Sequence, residues 1–148
     1  MLSKLKSFFA TELEVESEAT REEKLQQACA VLLIEVCKAD NDESLVEKKE
    51  IRKLLGSVFN IEGEPLDALI AQSADQEVDS TSFYPFTKLI NDHYDYPERV
   101  NVIKLMWKVA YADGTIDKYE DYIIRKVADL LYVSHSDFIQ AKLSAEPQ

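Results

Sequence analysis

Lys38-Ala39-Asp40-Asn41-Asp42-Glu43-Ser44-Leu45-Val46-Glu47, followed by Ile51-Arg52-Lys53, returns 73 positions later. The second copy reads Tyr111-Ala112-Asp113-Gly114-Thr115-Ile116-Asp117-Lys118-Tyr119-Glu120, followed by Ile124-Arg125-Lys126. At one offset Asp40 pairs with Asp113, Ser44 with Asp117 and Glu47 with Glu120. The apolar positions before each copy keep the same register: Leu32, Leu33 and Val36 against Leu105, Met106 and Val109. Apolar residues at helical spacing on both sides of a short acidic stretch define a helix–acidic loop–helix unit, present twice.

The rest of the chain reads as helix around these two units. It has 148 residues, 46% of them apolar, enough for one domain with its own core. Only 3 glycines and 4 prolines are present, too few for the tight turns of a strand-rich fold. Thr20 with Glu23, Ser44 with Glu47, and Asp117 with Glu120 have capping-box spacing. Further starts are expected at Glu64-Pro65, at Asp79 or Ser80, at Pro97 and at Ser134. His93 to Pro97 reads as a loop, and Val58, Phe59 and Leu143 are expected to face inward. The expectation is an all-α fold of seven to eight helices in two pseudo-symmetric halves. Residues 1–19 read as an amphipathic segment (Leu2, Leu5, Phe8 and Phe9) with an acidic linker, and residues 20–148 as the helical domain.

Charge and cysteine usage narrow the function. A net charge of −11 disfavours nucleic acid, whose phosphates are also negative, and suits a cation or a basic partner. Cys29 and Cys37, eight residues apart on a helix, stand too far apart to bridge and read as reduced core thiols of a cytoplasmic protein. Neither histidine, His93 or His135, has a glutamate three residues before it, so a di-iron site is not indicated. No nucleophile–base pair and no glycine-rich phosphate loop can be drawn, so a non-enzymatic protein without a small-molecule substrate is expected.

Asp40, Asp42 and Ser44, and likewise Asp113, Thr115 and Asp117, have the alternating oxygen spacing of a calcium loop. Neither is an EF-hand: Leu45 and Lys118 stand where glycine is required, and Ile51 and Ile124 where a bidentate glutamate is required. Helix capping accounts for Ser44, Glu47, Asp117 and Glu120. It leaves Asp40 and Asp113, each at a helix C-terminus where the macrodipole opposes a carboxylate. Loop amides or a bound metal would each compensate them.

The pattern Ala-Asp-Gly-x-Ile-Asp-x-x-Glu after an apolar helix, met twice in a small acidic all-α chain, resembles the TerB-like family. The second copy, Ala112 to Glu120, matches it; in the first, Asn41 replaces the glycine and Glu43 the apolar residue. The resemblance covers roughly residues 22–145. It implies a divalent-cation site (Ca²⁺, Mg²⁺ or Zn²⁺) drawn from Asp40, Glu47, Asp113, Asp117 and Glu120. It also implies a bacterial role in resistance to tellurite and other chemical stress. Protein partners at the inner face of the membrane are implied as well. The alternative is an interaction scaffold or co-chaperone-type domain whose acids only cap helices.

Overall fold

Helix α1 (Glu18–Lys38) is buried on nearly every side from Ala28 to Cys37. Its sequence dictates that place: Ala28-Cys-Ala-Val-Leu-Leu-Ile34 leaves no polar face to give to water, so neighbours must cover it all round. In the computed structural model, which describes residues 18–38, 45–74, 83–112, 114 and 116–147, α1 is the axis of the molecule. Around it pack α2 (Leu45–Phe59), α3 (Glu64–Ala74), α4 (Tyr84–His93), α5 (Tyr96–Tyr111) and α6 (Lys118–Leu130), while α7 (His135–Ala145) lies on α5. All regular structure among the described residues is helical, as the scarcity of turn residues led us to expect.

The repeat is a repeat of structure. Helix α1 ends at 38 and α5 at 111; α2 begins at 45 and α6 at 118, so both boundaries keep the 73-residue offset. Paired positions share burial: Val36 with Val109, Ile51 with Ile124, and Leu54 with Val127 are all in the core. The third helix of each half, α3 and α7, folds back on α1 and α5 respectively. Helix α4 stands between the halves and packs on α1 and α6.

Several local expectations are corrected. Helix α1 begins at Glu18, two residues before Thr20, so Thr20 lies inside the first turn and is not the N-cap. Helix α4 starts at Tyr84 with Phe83 as its N-cap and Pro85 in its first turn; the expected caps Asp79 and Ser80 lie outside the described residues. The loop from His93 to Pro97 shrinks to Tyr94 and Asp95. Asp95 closes a capping box with Glu98 that lets the chain turn directly into α5. Val58 (43% exposed) and Leu143 (59%) face outward. The amphipathic pattern of residues 1–10 lies outside the described residues.

Candidate functional site

The second acidic loop begins where α5 runs out. The amide of Gly114 donates to the Tyr111 carbonyl at 2.9 Å, and Gly114 has φ 92°, a left-handed turn that a side chain would strain. Asp117 is the N-cap of α6, with extended backbone (φ −76°, ψ 149°). Its Oδ1 accepts from the Tyr119 amide at 2.7 Å, and its own amide donates to Glu120 Oε1 at 2.9 Å. The capping box read from the sequence is therefore present.

Burial adds something capping does not require. Glu120 is 1% exposed and ranks among the largest fully buried side chains. The reason is register: Glu120, Ile124, Val127 and Leu131 follow one another on the inward stripe, and the last three are completely buried. The loop thus delivers a carboxylate into the interior at the positive end of a helix. Its counterpart Glu47 occupies the third position of α2, four residues before Ile51, but its side chain lies outside the described residues. Asp40, Asp113 and Ser44 also lie outside them.

The next acid serves packing. Asp121 accepts from Arg125 Nε at 2.5 Å and lies 3.6 Å from Lys142 Nζ. Arg125 stacks over Phe138 at 4.9 Å and Lys142 over Trp107 at 5.0 Å, so Asp121 anchors two cations that roof the aromatic core joining α6, α7 and α5. Among the described residues that leaves Asp117 and Glu120 as the acids at the exit of the loop. Both are hard oxygen donors, which fit Ca²⁺ or Mg²⁺ better than Zn²⁺; the two histidines are exposed elsewhere. Among the described residues no group of three or more His, Cys, Asp or Glu is placed to hold a metal.

Away from the loop, Cys29 and Cys37 are buried and form no disulfide. Burial is the main cause that pushes the Cys29 thiol up to about 12; Glu22 adds to it, and a hydrogen bond with Tyr94 opposes it. Such a thiol is not a nucleophile near neutral pH. Among the described residues no helix is long and apolar enough to cross a membrane.

Fold and loop together define an all-α protein built from a duplicated helix–acidic loop–helix unit. The chain belongs to the TerB family: the family described as tellurite resistance protein TerB matches residues 26–143, which takes in both copies of the loop. No match was found among curated proteins or among solved structures.

Proposed function

We propose that this tellurite-resistance-type module is a non-enzymatic divalent-cation-binding protein of a bacterial chemical-stress response. It acts in the cytoplasm with protein partners at the inner membrane surface. The observation that supports the reading is the buried carboxylate of Glu120 at the exit of the second acidic loop. Capping needs only a first-turn acid, which can stay in water. An acid held in the interior beside the N-cap Asp117 is a preorganised oxygen donor. Asp40, Glu47 and Asp113 complete the proposed ligand set.

Calorimetry and thermal melting with Ca²⁺, Mg²⁺ and Zn²⁺ test it. Binding to the folded chain raises its stability, by about 2.7 kcal/mol at a metal concentration 100-fold above Kd. Glu120→Gln, which keeps an acceptor for the Asp117 amide, and Asp113→Asn are expected to abolish the shift. Neither heat nor a melting shift at millimolar metal would rule the reading out.

One observation favours the second reading, an interaction scaffold: Asp117 and Glu120 already hold the first turn of α6. On that reading the Glu120→Gln and Asp113→Asn chains bind their protein partners as the parent does, with or without metal.

A further inference from the structure

Among the described residues the two halves differ at the seat of α4. Helix α4 rests on α1 and α6. Shifted by one repeat, the same seat falls on α5 and α2, and there lies a groove of about 420 Å³. Val58 and Phe59 of α2 form one wall, and Asn101, Val102 and Leu105 of α5 the other. Cys29 of α1 and Val102 of α5, themselves one repeat apart, both line it. The exposure of paired positions marks the difference. Leu131, beside the seat where Asn91 of α4 donates to the Leu130 carbonyl at 2.9 Å, is 0% exposed; Val58, its counterpart, is 43% exposed.

We propose that this groove is the seat of the chain's own residues 1–10, which fill in the first half the place that α4 fills in the second. Three observations carry it. Leu2, Leu5 and Phe9 have the spacing of Phe83, Phe86 and Ile90, three of the residues through which α4 and its N-cap meet the core. The charges match: the segment carries Lys4 and Lys6 with no acid before Glu12, and the groove is bordered by Glu22 and Glu98. The tether reaches: seven residues lie between Ala10 and Glu18, eight Cα steps and a span of up to about 28 Å, and Glu22 lies only one turn into α1. A tethered segment acts at an effective concentration in the millimolar range, so modest contacts suffice to hold it.

Paramagnetic relaxation on the full chain tests this. A nitroxide is placed on Ser7→Cys, with Cys29 and Cys37 protected by burial. The expected result is loss of the amide signals of Val58, Asn101 and Leu105, with those of Tyr119 and Tyr122 in the first turns of α6, which follows the far end of α5, retained. In the Leu5→Asp, Phe9→Asp double variant the groove signals return while the rest of the spectrum stays in place. Adding a synthetic peptide of residues 1–10 to that variant shifts the same three amides. Broadening centred elsewhere, or spread evenly, overturns the proposal. So does broadening that appears only when spin-labelled chains are mixed with isotope-labelled ones, which would make the occupant a second copy.

Discussion

The amide of Asp117 donates to Glu120 Oε1 at 2.9 Å, while the Asp117 carboxylate accepts from the first turn of the same helix. The two residues contribute differently because one is half in water and the other is 1% exposed. Asp117→Ala removes a cap and is expected to cost about 1 kcal/mol. Glu120→Ala leaves the Asp117 amide without its acceptor and opens a hole in the stripe, at about 2–4 kcal/mol. Glu120→Gln should fall between the parent and Glu120→Ala. Urea unfolding of the three variants checks the order, and a Glu120→Ala cost no larger than that of Asp117→Ala would remove the special place given to this carboxylate.

Tyr96 ties the start of α5 to the start of α7. Its hydroxyl donates to Asp137 Oδ2 at 2.5 Å and accepts from the Ser134 amide at 3.1 Å, while Ser134 Oγ caps α7 through the Asp137 amide at 3.1 Å. One phenol oxygen therefore joins elements 38 or more residues apart. Tyr96→Phe keeps the ring under Arg99, which lies 5.5 Å over it, and deletes only the oxygen. The expected loss is about 1–3 kcal/mol, since one of the lost bonds is to a carboxylate. Equilibrium unfolding measures it, and amide exchange in the first turn of α7 should quicken.

How much of this could be read in advance depends on which force places each residue. Helical period and the 73-residue register follow from side-chain polarity along the chain, so the helix class and the paired units were legible. Gly114 was legible because its left-handed turn has a residue type of its own. The cap Asp95-x-x-Glu98 carried its signal openly, but His93 to Tyr96 read as loop and the helix start was set at Pro97, one residue late. The start of α1 was missed because residues before Thr20 have no apolar face, and a first turn needs none. Val58 and Leu131 are equivalent in sequence; only the packing of a distant helix decides that one is covered. Glu120 is the sharpest case. Its capping role is local and was visible, whereas its burial depends on the stripe of Ile124, Val127 and Leu131 being set into the core.

Tyr132 holds a backbone conformation that tyrosine disfavours. It has φ 58° at the end of α6, where its amide donates to the Asp129 carbonyl at 3.1 Å and the Val133 amide donates to Ala128 at 3.0 Å. These two bonds form a Schellman closure, whose left-handed position is ordinarily glycine. The side chain is 76% exposed, so little packing offsets the strain. Relief of about 1–2 kcal/mol, less about 0.5–1 kcal/mol for the entropy of glycine, makes Tyr132→Gly neutral to more stable by about 1 kcal/mol. Tyr132→Ala keeps a Cβ in the same turn and should be the less stable of the two. Thermal melts of both variants decide it, and a Tyr132→Ala chain that melts above Tyr132→Gly would show that the turn is not strained.

Alkaline pH should weaken the fold through Cys29 and Tyr94. Burial raises both groups above their ordinary values of 9.0 and 10.0, the thiol to about 12 and the phenol likewise upward. In the unfolded chain both lose their protons near the ordinary values; in the folded chain they keep them. Above pH 9 the folded state therefore binds more protons than the unfolded state, and stability falls as pH rises. Below pH 9 this contribution is fully present and flat. Each group can add a slope of at most about 1.4 kcal/mol per pH unit, which for the thiol runs from 9 towards 12. Melting temperatures across pH 7 to 11 should stay level on this account to about pH 9 and then decline. Cys29→Ala should soften the decline between pH 9 and 10, where the thiol acts before the phenol. The same burial predicts that Cys29 resists iodoacetamide at pH 8 in the folded chain and reacts once urea unfolds it.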